Sequence, residues 1–259
     1  MAGRVQDKVA VVIGGASGIG LACAQLLAVE GASVAVADID GDKAAARTAE
    51  LGTSARALTV DVTDEDSVAA AFARAHSELG GLDIMINCAG INLPGYVTDL
   101  EAATWRRTID LCLTGGFLAI KHAARGMARG GSIVSIASLN ARQPAAGFGG
   151  YCSAKAGLVM LTQVAALELA ERGIRVNAIS PGLVETPLVE VLTSVSVIQD
   201  DFTDNTPLGR NGRPADIAEA ALYLTSDSAS WVTGEVLDVN GGAHLRRYPD
   251  VMKHMASLT

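Results

Sequence analysis

Residues Lys8, Val9, Ala10, Val11, Val12 and Ile13 form a short apolar run that breaks into a glycine turn, Gly14-Gly15-Ala16-Ser17-Gly18-Ile19-Gly20. An Ala/Leu-rich stretch follows as far as Leu27. A run this short, apolar at successive positions, reads as a strand buried on both faces of a parallel sheet. Strand, glycine turn and helix in that order give the context that a dinucleotide-binding loop requires, although the spacing is GxxxGxG rather than GxGxxG. Gly14 permits the tight turn, Gly18 lets a pyrophosphate approach the backbone, and Gly20 lets strand and helix pack closely. With Ser17 and Ile19 between them, these residues open a helix whose free N–H groups face the phosphates.

Further strands end on residues suited to the same ligand. Ser33 to Ala37 ends at Asp38, eighteen residues after Gly20. A carboxylate at that tip accepts hydrogen bonds from the adenosine ribose hydroxyls and repels a 2′-phosphate. No Arg or Lys stands in the glycine turn, and Ile39 and Asp40 follow Asp38, so NAD is expected over NADP. Ala57 to Val60 ends at Asp61-Val62-Thr63, which places Asp61 near the adenine amino group with Val62 beside it. Asp83 to Ile86 ends in Asn87-Cys88-Ala89-Gly90, where the small Ala89 and Gly90 bring the backbone close to the cofactor and Asn87 braces a neighbouring strand.

Tyr151 and Lys155 stand four residues apart, with Ser138 thirteen positions upstream. On a helix that spacing places phenol and ammonium on one face about one turn apart. A cation there favours the phenolate, a base able to exchange a proton with an alcohol or carbonyl oxygen. The Ser138 hydroxyl suits the same oxygen. An ordinary exposed Tyr and Lys would show the same spacing, so the triplet gains meaning only beside the nucleotide loop.

Taken in order, Gly14-xxx-Gly18-x-Gly20, Asp61-Val62-Thr63, Asn87-Cys88-Ala89-Gly90, Ser138, Tyr151-xxx-Lys155, Pro181-Gly182 with Thr186, and Gly234 to Gly242 resemble the short-chain dehydrogenase/reductase family in its shorter subclass. The resemblance runs from about Lys8 to Gly242. It implies a single doubly wound α/β domain of Rossmann type. Its parallel seven-stranded sheet has the order 3-2-1-4-5-6-7, with helices on both faces and the site at the carboxyl ends of the strands. It also implies that Tyr151 is the acid/base and one of the cofactor-binding residues, that Ser138 orients the reacting oxygen, and that Lys155 binds the nicotinamide ribose and tunes Tyr151. Pro181 to Thr186 would hold the nicotinamide, with the Thr186 hydroxyl and the Val184 backbone near its carboxamide. A homotetramer built partly from helices at 101–128 and 150–172 is implied in the same way.

Two positions depart from the family pattern. Ile13 replaces a usual Thr, with small consequence. Cys112 stands where the family has an Asn that shapes its helix so that a backbone carbonyl holds a relay water for Lys155. Cysteine is a poor hydrogen-bonding substitute, so turnover with impaired proton exchange is expected. The alternative is that Cys112 is a small buried residue without a role.

Composition narrows the field. Twenty Lys/Arg against 28 Asp/Glu give a formal charge of −8, which argues against a nucleic-acid surface. Four scattered cysteines without CxxC or a His partner give no zinc site and suit reduced thiols in a cytoplasm. No signal peptide and no run of membrane-spanning length is read from the sequence. No linker, repeat or low-complexity tract appears, hence one domain over 1–259.

Between about 183 and 210 the pattern loosens into a substrate lid. Leu188, Val191, Leu192, Val195, Ile198 and Phe202 recur at three- and four-residue steps, as in short amphipathic helices that close over the nicotinamide or simply pack as core. Asp200, Asp201 and Asp204 are expected in solvent. The tail 243–259 reads as a frayed terminus, or as a segment reaching a neighbouring subunit's pocket. His76 and His122 show no partner pattern.

The expected activity is NAD-dependent interconversion of a secondary alcohol and a ketone, acting on a small-molecule substrate without metal, nucleic acid or membrane. Two rivals stay open. One is a 3-oxoacyl-thioester reductase of fatty-acid synthesis, which usually goes with NADP. The other is a dinucleotide-binding sensor without turnover.

Overall fold

The computed structural model describes residues 3–52, 54–128 and 130–256, with the side chains of Val191 and Leu192 outside the description. Seven strands form one sheet: β1 (Val9–Ile13), β2 (Ser33–Asp38), β3 (Arg56–Thr59), β4 (Ile84–Asn87), β5 (Gly131–Ile136), β6 (Ile174–Pro181) and β7 (Val236–Val239). Their order is β3-β2-β1-β4-β5-β6-β7, with every pair parallel. The expected topology is therefore observed. Parallel strands buried on both faces need no polar alternation, and β1 is buried along its whole length.

Successive residues serve opposite layers. Val11 and Ile13 point to one core with Met85, Ile133 and Val176. Ala10 and Val12 point to the other with Val34, Ile86 and Ile179. The first layer is covered by α3 (Glu65–Leu79), α5 (Gly115–Gly126) and α6 (Gly149–Leu169), through Phe72, Leu118 and Ala165 among others. The second is covered by α1 (Gly18–Val29) and α9 (Pro214–Thr225), through Leu27, Ile217 and Leu222. The remaining helices are α2 (Gly41–Leu51), α4 (Ala102–Ile109), α7 (Glu190–Thr193), α8 (Ser196–Asp204) and α10 (Val251–Ala256).

Three expectations change here. The single helix read over 101–128 is two helices, α4 and α5, joined by a π turn over Asp110–Thr114. Periodicity does not register that one-residue widening, because α-helical spacing resumes on either side. The tail does not fray: Ala243–Leu245 forms a 3₁₀ turn and α10 follows, with Val251 buried. The last three residues of the tail lie outside the described residues. Finally, α6 with its 3₁₀ continuation (Gly149–Arg172) is apolar and long enough to cross a membrane by length and composition. In this fold it packs on β6, α4 and α5.

Candidate active site

Strand order reverses around β1 and β4, and this opens a crevice at the carboxyl ends of the strands. One cavity of about 300 Å³ there is lined by Gly14, Ser17, Gly18, Ile19, Gly20, Asp38, Asp61, Val62, Ala89, Gly90 and Thr186. A Cβ at Gly20 would lie 2.0 Å from the Gly14 carbonyl oxygen, so only glycine lets α1 begin this close to the turn. Ser17 caps α1 without a side-chain hydrogen bond, and no acidic residue occupies the first turn. The helix N-terminus therefore keeps its positive end for an anion. These features fit a dinucleotide pyrophosphate.

The carboxylates around this cavity are held in place. Asp38 Oδ2 accepts the Ala16 N–H at 3.0 Å, which ties the tip of β2 to the glycine turn, while Oδ1 accepts from the Asp40 N–H. Asp61 accepts from the Thr63 hydroxyl and N–H at 2.7 and 2.9 Å, and the hydroxyl contact is the larger cause of its depressed pKa. Asn87 does not line the cavity; its Oδ1 accepts the Ala89 N–H and so shapes the loop from within. Cys88 lines the cavity too, although sequence reasoning passed over it as merely small. Its thiol is pushed up by a hydrogen bond with Cys23 and by burial.

A second cavity of about 390 Å³ holds Ser138 and Tyr151 together with Pro181 and Gly182. Lys155 is 3% exposed; its ammonium donates to the Ile136 carbonyl at 2.7 Å and lies 5.7 Å from the Tyr151 ring centroid. The helical spacing thus places Lys155 behind the phenol, as expected. Ser138 caps a 3₁₀ turn over Leu139–Ala141, its hydroxyl accepting the Asn140 N–H at 3.1 Å. Among the described residues, no carboxylate or imidazole lines this cavity, so its titratable side chains are Tyr151, Tyr248 and Arg247. Arg247 is paired with Asp201, and burial pushes the Tyr248 phenol well above its ordinary range. Tyr151 shares this cavity with Ser138.

Comparison with known proteins agrees with this geometry. A family profile described as enoyl-(acyl carrier protein) reductase matches residues 14–244. A cis-4-hydroxycyclohexanecarboxylate dehydrogenase of Sinomonas cyclohexanicum is 44% identical, covering 91% of this chain and 96% of that protein. A 2,5-dichloro-2,5-cyclohexadiene-1,4-diol dehydrogenase of Sphingobium indicum is 39% identical, over 93% of this chain and 98% of that protein. A solved short-chain type dehydrogenase/reductase of Mycobacterium ulcerans superposes with a TM-score of 0.94 at 39% identity, covering 98% of this chain and 95% of that one. The chain belongs to the short-chain dehydrogenase/reductase family. It is an oxidoreductase of CH–OH groups.

Against the family pattern, Cys112 performs a definite task. Buried in the π turn, its Sγ accepts the Ile91 N–H and donates to the Ile91 carbonyl, each at 3.3 Å. The thiol thereby links the segment after Gly90 to the helix, and Cys112 is buried as the alternative reading of it expects.

The segment after β6 divides its work. Thr186 lies over the glycine turn, its methyl 3.1 Å from the point where a Gly18 Cβ would stand. Val184 lines neither cavity. Its side chain is buried and its backbone bridges to Gly212. Leu188 lies between the cavities and lines both. In α8, Ile198 and Phe202 are buried as their spacing predicts, and Val195 packs beside them.

Other expectations need correction. Asp200 and Asp204 are exposed, but Asp201 is only 9% exposed, ion-paired with Arg247 and 2.9 Å from His254. Burial works to raise its pKa, yet the hydrogen bonds from Arg247 and His254 outweigh it and the net shift is downward. His122 also has a partner: Glu65 at the start of α3 takes contacts from both His122 and Lys121. These partners lie far apart in sequence, where spacing rules say nothing.

Proposed function

We propose that this chain is an NAD-dependent dehydrogenase that interconverts a ring-bearing secondary alcohol and its ketone. The observation that carries the reading is the second cavity, which joins Tyr151 and Ser138 to a mainly apolar wall with no carboxylate or imidazole among the described residues. The relatives named for cyclohexane- and cyclohexadiene-based alcohols support a six-membered ring as substrate core. Bound nicotinamide supplies the hydride acceptor. Ser138 and Tyr151 hold the substrate oxygen, and Tyr151 as phenolate takes the hydroxyl proton. Lys155 stabilises that phenolate and would hold the nicotinamide ribose. Gly14, Gly18, Gly20 and the start of α1 would hold the pyrophosphate, Asp38 the adenosine ribose, and Asp61 the adenine. Pro181, Gly182 and Thr186 would flank the nicotinamide.

Asp38 supports NAD over NADP, because no Arg or Lys stands in the glycine turn to neutralise a 2′-phosphate. A second copy suits the apolar outer face of α6, where Met160, Val164 and Leu167 lie exposed at helical spacing, with Trp105 and Phe117 also exposed on α4 and α5. We assign that face to the interface of a homotetramer in the cytoplasm. The deciding experiment follows NADH absorbance with a panel of cyclic secondary alcohols and either NAD or NADP. Turnover with NAD on ring alcohols is expected. A strong NADP preference overturns the cofactor assignment, and single-turnover failure with every alcohol overturns the activity.

A further inference from the structure

The tail folds back onto the lid of its own chain. Tyr248 packs edge-on against Phe202 of α8, with centroids 5.6 Å apart and planes at 88°, and against Phe148 at 6.3 Å. Phe148 directly precedes α6, the helix that carries Tyr151. Val251 joins the same cluster with Ile198. Met252 presses on Gly147, where a Cβ would lie 2.5 Å from the Met252 Cγ. Asn140, two residues from Ser138, lines the same cavity as Tyr248. Asp201 of α8 then grips the tail twice, through Arg247 and through His254 at 2.9 Å. Tyr248, Met252 and Met255 line the cavity that holds Ser138 and Tyr151, and none of them lines the nucleotide cavity.

We propose that the segment from Tyr248 to Met255 is a specificity-determining wall of the substrate pocket, and that Asp201 acts as a positioning residue that fixes this wall to the lid. The wall faces the apolar body of the alcohol, while Ser138 and Tyr151 take its oxygen. Lid and tail therefore define the pocket as one unit, which a lid alone would leave open on one side. The inference rests on the activity proposed above.

Kinetics of Tyr248→Leu and Asp201→Asn with NAD, cyclohexanol and the larger decahydro-2-naphthol test it. For Tyr248→Leu, the KM of cyclohexanol should rise about tenfold, a size expected of lost apolar contact in a pocket. Its kcat should stay within about threefold, and decahydro-2-naphthol should gain in relative kcat/KM. Asp201→Asn should move both alcohols in the same directions by a smaller factor. NADH affinity, read by fluorescence, should stay unchanged in both variants. Equal loss for the two alcohols, or weakened NADH binding, would mark a merely structural role and overturn the proposal. Met252→Ala gives the same readout should Tyr248→Leu fail to fold. A wild-type protein that binds NADH but oxidises no alcohol overturns the proposed activity itself. A wild-type protein active on both alcohols, with variants indistinguishable from it, overturns only the wall.

Discussion

Cys112 and Ile91 exchange two hydrogen bonds, the thiol accepting from the Ile91 N–H and donating to its carbonyl, each at 3.3 Å. One side chain thus satisfies both backbone groups of a residue next to the cofactor loop. Cys112→Ala leaves both of these partly buried groups without their protein partner and should cost about 1 kcal/mol of stability, measured by urea unfolding. Cys112→Asn offers stronger donors and acceptors at the same point. It should raise turnover, and an unchanged rate across the pH range would show that the thiol already supports proton exchange fully.

Tyr151 lines the second cavity with Ser138, and the proposed mechanism makes it the acid/base. Tyr151→Phe should lower kcat by about 10²–10⁴-fold, the range for general acid–base catalysis. NADH binding should survive, since Tyr151 lies outside the nucleotide cavity lining. Intact catalysis in this variant would remove the proposed mechanism.

Asp38 bonds the Ala16 N–H of the glycine turn and lines the cavity beside it. Asp38→Ala should raise the KM for NAD about tenfold and narrow the NAD-to-NADP preference by a similar factor, in line with loss of a charge-assisted hydrogen bond. Steady-state kinetics with both cofactors read this directly.

Asp216 in the first turn of α9 accepts from Arg210 and from the Arg213 N–H, both at 2.7 Å. Chiefly through Arg210, its pKa falls to about 2. A depressed carboxyl contributes stability above its unfolded value and loses it as pH falls through the folded value. The contribution should therefore disappear between about pH 4 and pH 2. Solvent screening at this partly exposed pair limits it to about 1 kcal/mol. Asp216→Asn should be less stable at pH 7 by that amount and show a flatter acid limb in thermal melts.

Much of the site was legible because its signals are local. Gly14, Gly18 and Gly20 mark a turn whose sterics are set within seven residues, and Tyr151 and Lys155 meet through a single helical turn. Asp38 was legible as a strand tip, since an apolar run of fixed length must end somewhere polar. Asn87 was read partly: its shaping role holds, but the group it braces is the Ala89 N–H of its own loop. Asp201 was misread because a lone aspartate in an acidic stretch carries no sign of partners 46 and 53 residues away.

The chain alone therefore determined the nucleotide turn and the pairing of Tyr151 with Lys155, which depend on short-range spacing and backbone sterics, while the strand order and the place of Ser138 came with the family resemblance its motifs carry. Tertiary structure decided the π turn at Asp110–Thr114, the pairing of Cys112 with Ile91, and the return of Tyr248 and Arg247 to the lid. Those contacts are chosen by which surfaces remain unburied once the sheet has closed, and no local pattern of residues encodes that remainder.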